Sequence, residues 1–556
     1  MLKRYVVFLP VPVFNDPQAY LIQDGDLDTI IESDTSDSSD SDEIGAVMFP
    51  FSWNRSHTRW MHPSVSQKSF YWNIYCERVD PLVKILHKPS FDEIFAHEHH
   101  LEENQNRSLT VLLFAIYYSA VTSLTSQEVK TNLESDRTEL LEYYKSAVER
   151  ALTDAGFLAT QEIETLQGFL LYLVCSRCHG KSKVVWSLTG LAVRLAQSMG
   201  LHRDGTKLGL SPLETETRRR LWWQIWFLDV RSSEDHGSES STLNLDFDTR
   251  VPLNINDSDL STSLVDLPED IEGLTDSTFC VIRYEIGRVF CWIRDGTRGK
   301  SIAAKEKLLA ECCERLETRY LKYCNDGNAL QWTISNITHL VMDKNWFKLY
   351  YSPTWIQGEA SMTRELRERL FVLTIKIVER SDLIGRDRRA EKWNWMNRSY
   401  FQWLPRAFIL AELCNRDRDE LVDRAWKSID NSFLACPDKL AASKNGILLK
   451  RLMAKANAKR NTVSSKQIPN QSLSSIDTTE PGKLDSLSIE NFSADIPAAW
   501  NQEFAPPQIA FTGWDDNLPE TLMDYNFAFH PIYFGDWNYT MTDDGAAITY
   551  DGHAAN

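Results

Sequence analysis

A stripe of large apolar residues at helical spacing runs through residues 211–237, SPLETETRRRLWWQIWFLDVRSSEDHG. Leu221, Ile225 and Leu228 recur at intervals of three and four residues, the period of an α-helix. Three tryptophans flank the stripe, so the helix is apolar around most of its circumference and must be buried. The tryptophans are Trp222, Trp223 and Trp226. A chain that contains such a helix needs a core large enough to enclose it.

The polar first half of this segment gives two further predictions. Ser211 is a suitable N-cap, and Glu214 stands three residues later, where a capping box needs an acid. Glu214 precedes Arg218 by four residues, a spacing that allows pairing along a helix. Glu216 precedes Arg220 by the same interval. We therefore expect the three consecutive arginines to form a solvated helix face, in preference to a nucleic-acid patch.

The rest of the middle of the chain repeats apolar residues at intervals of three and four, without the alternation of period two that marks strands. We therefore predict an all-α fold, an irregular multi-helix bundle, because no repeat of 20–50 residues is visible. Residues 240–275 are polar and rich in turn formers, apart from a strand-like fragment at 248–257, and we expect a long surface connection there. The clearest helical segments are 108–124, 135–157, 279–294, 303–323, 334–351 and 364–384.

Charge divides the 556 residues into a near-neutral body between two acidic tails. The net charge is −18, of which residues 1–45 carry −8 and residues 461–556 carry −12, so the middle carries +2. A near-neutral body lacks the broad basic footprint of a duplex-binding domain. The tails offer little apolar surface to bury, so we predict a disordered, Ser-rich N-terminal segment over residues 1–60 and a disordered tail over 461–556.

Signals for export and membrane insertion are weak. Two prolines interrupt the apolar run at the start of the chain, and the apolar run at 169–175 is far shorter than the roughly 20 residues that span a bilayer. Ten cysteines, mostly within apolar helical patterns, are typical of a reducing compartment. We expect a soluble intracellular protein with no membrane partner.

The segment 190–205, GLAVRLAQSMGLHRDG, contains the HRD triplet of protein-kinase catalytic loops. A kinase needs an Asn five residues after the Asp, but that position is Gly209, and no glycine-rich loop, VAIK lysine or DFG accompanies the triplet. Helix mechanics explain the segment better. We predict that Gly190 lets helices approach closely, that Gly200 ends a helix, and that HRDG forms the following turn. The buried stripe of this helix comprises Leu191, Leu195 and Met199.

The patterns that could indicate a metal or haem site are not supported by the residues around them. CSRCH at residues 175–179 matches the c-type haem motif, but it continues an apolar run, and we predict two core or boundary cysteines. These cysteines lack a second half-site for structural zinc. Residues 24–35 start like a calcium loop, but Thr29 and Thr35 stand where Gly and Glu are needed. No GxSxG elbow or Walker loop occurs either, so we predict no enzyme activity, no catalytic residue and no metal ligand.

Four segments together resemble the middle homology region of fungal zinc-cluster transcription factors. They are residues 79–91 (VDPLVKILHKPSF), 186–205, 211–237 and 400–414 (YFQWLPRAFILAELC). The resemblance covers about residues 68–435 and implies a helical regulatory module, placed here at 68–455, that restrains or relays activation. Its motif residues, expected to have structural roles, are His87, Gly190, Arg194, Gly200, His202, Arg203, Asp204, Arg219, Trp222, Trp223 and Asp229.

The resemblance also implies a DNA-binding zinc cluster of six cysteines ahead of this module. The first cysteine of this sequence is Cys76, so we expect no cofactor in this chain. Three alternatives stay open: the cluster was lost, a partner supplies it, or the gene model lacks its first exon. DNA binding is therefore implied by the family alone, through a partner or a missing N-terminal domain, and we expect no specific duplex binding by this chain by itself.

Residues 511–545 interleave aromatic side chains with acids. Acids keep such aromatics solvated until a coactivator groove accepts them, so we predict an activation region that contacts coactivators or the transcription machinery. An inert tail with incidental aromatics is the alternative. The predicted contact residues are Phe511, Trp514, Phe527, Trp537 and Tyr539.

These observations together predict a nuclear regulator of RNA polymerase II genes in a fungus, with a pathway-specific target set such as a secondary-metabolism cluster. The basic stretch LLKRLMAKANAKR, residues 448–460, is either a nuclear localisation element or the last helix of the folded body. The rival functions are a helical small-molecule-binding protein or enzyme with a Trp-rich pocket, and a transcriptional cofactor without DNA contact. Whether the chain forms a homo-oligomer is also open.

Overall fold

The computed structural model describes residues 62–96, 106–236, 242, 246–295, 301–351, 363–397, 402–435 and 444–465. Within these ranges every regular element is a helix, which confirms the predicted all-α fold. In the described part of the chain, no helix is both long and apolar enough to cross a membrane. The first eleven helices are α1 (Val65–Ile74), α2 (Lys88–Ala96), α3 (Arg107–Ser123), α4 (Ser126–Leu133), α5 (Arg137–Asp154), α6 (Ile163–Cys178), α7 (Ser182–Ser198), α8 (Pro212–His236), α9 (Thr278–Asp295), α10 (Ile302–Arg319) and α11 (Ala329–Tyr350).

Helices α3 and α6 form the centre of this first group. Both are apolar on nearly all sides, and a helix of that kind must be enclosed by other elements. They pack closely at Gly168, where a Cβ atom would lie 2.8 Å from the Val111 side chain and 3.1 Å from the Leu112 backbone. A larger residue at this position would push the two helices apart.

Helix α8 packs between α7 and α9, and the structure confirms its start and its burial. The Ser211 hydroxyl accepts a hydrogen bond from the Glu214 amide at 3.3 Å, as an N-cap does. Trp222 is fully buried and Trp226 is 3% exposed. Gly287 of α9 makes room for the second ring, since a Cβ there would lie 3.0 Å from Trp226.

A second hydrophobic cluster follows the first along the chain. It is built around Phe371, Ile375, Ile409 and Trp426, and a smaller cluster around Phe347 joins it to α11. Its helices repeat apolar residues at three and four, as the sequence predicted for residues 364–384. The helices after α11 are α12 (Arg364–Arg386), α13 (Asn394–Asn397), α14 (Trp403–Leu413), α15 (Glu420–Ala435) and α16 (Lys444–Ser465).

The glycines of the HRD region act differently from the prediction in one case. Gly200 has φ +75° and follows the end of α7, so it ends that helix as predicted. Gly190 was predicted to allow a close approach of helices, and this is wrong, because a Cβ there would meet nothing within 4 Å. The close approach is at Gly205, where a Cβ would lie 2.6 Å from the Thr215 hydroxyl of α8.

The predicted long surface connection over residues 240–275 is wrong for part of its length. Thr249, Asn254, Ile255 and Asp257 are buried, although the backbone around them forms no strand. Polar side chains of the surrounding elements form hydrogen bonds with the backbone groups of this segment, so these groups do not need water as a partner. The tails predicted at 1–60 and 461–556 lie outside the described residues, apart from the last turn of α16.

Replacing Trp226 by Ala should lower the free energy of unfolding by about 3–5 kcal/mol, because the change leaves a large cavity between α8 and α9. Urea denaturation of the full chain measures this loss. Leu208→Ala is the control, since that side chain is half exposed and its loss should cost less than about 0.5 kcal/mol. Equal costs for the two variants would contradict the burial of Trp226.

Candidate functional site: a buried ionic network around α8

The carboxylate of Asp204 in the HRD turn forms a buried ion pair with Arg219 of α8. Its two oxygens accept hydrogen bonds from Arg219 Nε and Nη2, each at 2.8 Å, and the side chains are only 1% and 2% exposed. The same carboxylate accepts hydrogen bonds from the Thr206 amide at 3.2 Å and the Arg250 amide at 2.9 Å. The triplet is therefore a structural turn, and its Asp is fully engaged by donors.

A second cluster of charges lies one residue further along α8. We call it the buried ionic network, and its members are Asp80, Lys84, Glu216, Arg220 and Asp257. Arg220 Nη1 donates to Asp257 at 2.6 Å, and Arg220 Nε donates to Glu216 at 3.1 Å. Lys84 Nζ donates to Asp257 at 2.6 Å and to Asp80 at 2.7 Å. No member is more than 2% exposed, so the network joins three separate chain segments inside the protein.

Three carboxyl groups face two cations in this network, and the balance between burial and the nearby cations sets the pKa of each acid. Burial favours the neutral form of Asp257, but Arg220 and Lys84 outweigh it and hold the pKa of Asp257 well below its usual range. Burial raises the pKa of Glu216 and of Asp80, against the attraction of their cations. Removing one partner of such a network leaves a buried charge uncompensated, which is strongly destabilising.

Two further motif residues bind the segment that carries Asp257. His87 Nε2 donates a hydrogen bond to the Asp257 carbonyl at 3.0 Å. Trp223 Nε1 donates to the Arg250 carbonyl at 2.7 Å. Side chains from α8 and from the segment before α2 thus supply hydrogen-bond partners to the backbone of residues 249–257.

The remaining motif residues lie at the edges of this region. Asp229 accepts hydrogen bonds from the amide and hydroxyl of Thr242, both at 2.9 Å. Arg203 pairs with Asp246 at 2.9 Å near the surface. Arg194 is exposed on α7 and contributes nothing to the network. The ring of His202 lies 6.3 Å from that of Trp222, centroid to centroid.

The predicted solvated arginine face is wrong. Arg219 and Arg220 are buried, and only Arg218 keeps a partly exposed pair with Glu214, at 3.3 Å. Spacing of four predicted the Glu216–Arg220 pair correctly, but spacing alone does not distinguish a buried pair from an exposed one. The sequence did contain a signal that the pair is buried. Glu216 and Arg220 precede Trp223 by seven and three residues, so they share the helix face of its buried ring.

The cysteines of the CSRCH stretch are one core residue, Cys175, and one boundary residue, Cys178, as the prediction of core or boundary cysteines allows. Cys175 is fully buried in α6, and burial raises the pKa of Cys178 to about 11, so neither thiol ionises readily at neutral pH. Among the described residues, no group of three or more His, Cys, Asp or Glu side chains is arranged to hold a metal ion. The described cysteines therefore do not fit the zinc cluster that the resemblance implies.

A small cavity lies between α6, α8 and α9 and encloses about 20 Å³. Its lining includes Arg177, Arg231 and Arg283. Arg283 donates to the Leu82 carbonyl and stacks 4.1 Å from the centre of the Phe227 ring. The volume holds about one water molecule, so this cavity is not the Trp-rich pocket that the small-molecule alternative requires.

The sequence profile described as the Fungal specific transcription factor domain matches residues 71–278. This range contains the HRD turn, the whole of α8 and every member of the buried ionic network. The chain belongs to the fungal-specific transcription factor family. The match ends at the first residue of α9, so the network lies within the part of the chain that defines the family.

Three relatives illustrate the similarity. The pyriculol/pyriculariol biosynthesis cluster transcription factor 1 of Pyricularia oryzae is 30% identical over 416 residues, covering 71% of this chain and 55% of that protein. The aurofusarin cluster transcription factor aurR2 of Gibberella zeae is 29% identical, with 67% of this chain and 57% of that protein covered. The C6 finger domain transcription factor hasF of Aspergillus fumigatus is 29% identical, with 62% of this chain and 52% of that protein covered. The chain spans about half the length of these curated relatives.

Replacing Asp204 by Asn should lower the free energy of unfolding by about 3–5 kcal/mol, because the change leaves Arg219 buried without a counter-charge. Burial alone would raise the pKa of Asp204, but the hydrogen bonds from Arg219, Thr206 and the Arg250 amide hold its pKa well below the usual range. The stability from this carboxylate is therefore present above the unfolded pKa of about 3.9 and is lost as the pH falls toward the folded value.

Urea titrations of the Asp204→Asn variant at several pH values measure both effects. The difference in the free energy of unfolding between the variant and the wild type should be largest at neutral pH and should become smaller below about pH 4. Asp246→Asn is the matched control, because its side chain is 68% exposed in the pair with Arg203 and its loss should cost less than about 1 kcal/mol. A difference that stays constant down to about pH 2 would contradict the ionic role of Asp204.

Proposed function

We propose that this chain is a nuclear regulator of RNA polymerase II transcription in a fungus, with a pathway-specific target set in a secondary-metabolism cluster. One observation carries the proposal: about two thirds of the chain is similar to proteins named as biosynthesis-cluster transcription factors. The names of the family and of these relatives are those of transcription factors and not of enzymes.

The helical domain acts in this proposal as a rigid regulatory module. Its charged motif residues are engaged with one another: Asp204 with Arg219, and Arg220 with Asp257. Groups held in this way fix the positions of chain segments, whereas a general acid or base needs a free lone pair or proton facing a substrate. The module therefore supplies a fixed surface for other parts of the regulator.

DNA contact is the second part of the proposal. The relative hasF is named a C6 finger protein, whereas the first cysteine in this sequence is Cys76, within the family domain. We propose that a zinc cluster outside this sequence, in a partner or in a preceding segment, brings the regulator to its sites. Contacts with coactivators are assigned to residues 511–545, which lie outside the described residues.

Deleting the gene in the fungus that carries it tests the regulator directly. Transcripts of one co-located set of biosynthetic genes should fall by about tenfold or more, a ratio that corresponds to about 1.4 kcal/mol in promoter occupancy. Reintroducing the wild-type gene should restore them. Unchanged transcripts across the genome after deletion would contradict the proposal.

The C-terminal segment makes a separate prediction. Residues 500–556, fused to an unrelated DNA-binding domain, should activate a reporter gene, because aromatic side chains can fill a coactivator groove while acids keep them exposed. Replacing Trp514, Phe527 and Trp537 together by Ala should abolish activation. The control that changes Asp543 and Asp544 to Asn should weaken it only modestly. Full activation by the aromatic triple variant would show that the segment is a passive extension.

A further inference from the structure

Helix α16 buries one face and exposes the opposite one. Leu449 and Ala456 are buried in the second hydrophobic cluster, and Leu452 and Met453 pack against it. These residues recur at intervals of three and four and therefore lie on one side of the helix. The opposite side carries the basic residues that the sequence singled out at 448–460.

The exposed side has a narrow apolar strip that one cation interrupts and two cations flank. Ile447 is 50% exposed, and Ala454 and Ala458 follow it on the same line of the helix. Arg451 is exposed on this line as well, between Ile447 and Ala454, and Lys450 and Lys455 are exposed on its two sides, at about ±70° from its centre on a helical projection of 100° per residue. We call this surface the α16 basic face; its members are Ile447, Lys450, Arg451, Ala454, Lys455 and Ala458.

The cations of the α16 basic face form no ion pair within the described residues. Lys450, Arg451 and Lys455 take part in no ion pair there, whereas Lys459, one turn further on, pairs with Asp417 at 3.7 Å. Arg451 and Lys455 are four residues apart and repel each other, at a cost of a few tenths of a kcal/mol. An acidic segment laid along this face would remove that repulsion.

The chain itself supplies a complementary segment directly after α16. Residues 466–556 contain fourteen acids and only two basic residues, Lys466 and Lys483. Aromatic rings alternate with the acids in residues 511–545. This composition matches both parts of the α16 basic face, since acids suit its cations and rings suit the strip of Ile447 and the two alanines.

The connection is long enough for the contact. Helix α16 has 22 residues and is therefore about 33 Å long at 1.5 Å per residue. Residues 466–510 number 45, and a flexible polar linker of that length has a root-mean-square reach on the order of 35–40 Å. A tether of this length holds the aromatic segment near the helix at roughly millimolar effective concentration, so even a weak contact is populated.

We propose that residues 511–545 dock on the α16 basic face of the same chain. Acids of the segment pair with Lys450, Arg451 and Lys455, and aromatic rings cover the apolar strip between them. A docked segment is withheld from other partners, so the contact restrains the chain until a competing groove takes the aromatics. This last consequence rests on the proposed function, whereas the contact itself does not.

Photo-cross-linking of the full chain tests the contact. A photoreactive benzoylphenylalanine replaces Ala458, and the cross-linked residues are mapped by mass spectrometry. The intramolecular products should fall mainly within 511–545, and their yield should not change on dilution. In about 1 M salt, where screening acts within about 3 Å, the yield should fall about fivefold or more from its value at about 0.1 M.

Charge reversal supplies the matched comparison. Changing Lys450 and Lys455 to Glu should reduce the cross-link yield about fivefold or more, because like charges then face each other. Changing Lys130 and Lys183 to Glu reverses the same number of exposed charges on α4 and α7 and should leave the yield unchanged. Unaltered circular dichroism of both variants confirms that the helices are intact.

Several results would overturn the proposal. One is that the cross-linked products map mainly to residues 1–60 or to a second copy of the chain. Another is that the cross-link yield changes neither with salt nor with charge reversal. Loss of nuclear accumulation in the Lys450 and Lys455 variant with unchanged cross-links would assign the face to an import receptor instead. If residues 500–556 fail to activate a reporter while the cross-links form as expected, the docking stands and the activation role in the proposed function falls.

Discussion

Two consecutive arginines of α8, Arg219 and Arg220, organise the parts of this fold that helix packing alone would leave loose. Each is buried, and each needs an acid from a distant segment: Asp204 from the HRD turn and Asp257 from the connection before α9. Buried ion pairs add little net stability compared with apolar residues, but an unpaired buried charge is very costly. The paired arrangement is thus favoured over any in which these segments move away.

This constraint gives the HRD triplet of the chain a structural role and no catalytic geometry. Asp204 accepts hydrogen bonds from a guanidinium, two backbone amides and the Thr206 hydroxyl, which leaves its carboxylate no free lone pair to accept a proton from a substrate. Trp223 and His87 add donors to the backbone around Asp257. These charged residues therefore hold chain segments together, and the docking surface that we propose lies elsewhere, on the exposed side of α16.

The sequence was a good guide to features set by neighbouring residues and a poor guide to those set by distant ones. The apolar stripe of α8, the Ser211 cap and the end of α7 at Gly200 depend on residues within two helical turns, and all three were predicted. The burial of Arg220 depends on Asp257, 37 residues away, so helical spacing indicated an exposed pair. Residues 249–257 looked like a surface connection for the same reason, because the side chains that satisfy them come from other elements. The aromatic residues of 511–545 lie outside the described residues, and their role stays a prediction.

A double-mutant cycle between Asp204 and Arg219 tests the central claim most directly. The free energy of unfolding is measured for the wild type, Asp204→Ala, Arg219→Ala and the variant with both changes. Because each single change strands its partner in the core, we expect the double variant to be more stable than the sum of the single losses implies, with a coupling energy of about 2–3 kcal/mol. A coupling energy below about 0.5 kcal/mol would show that the two residues act independently and that the buried pair does not hold the turn to α8.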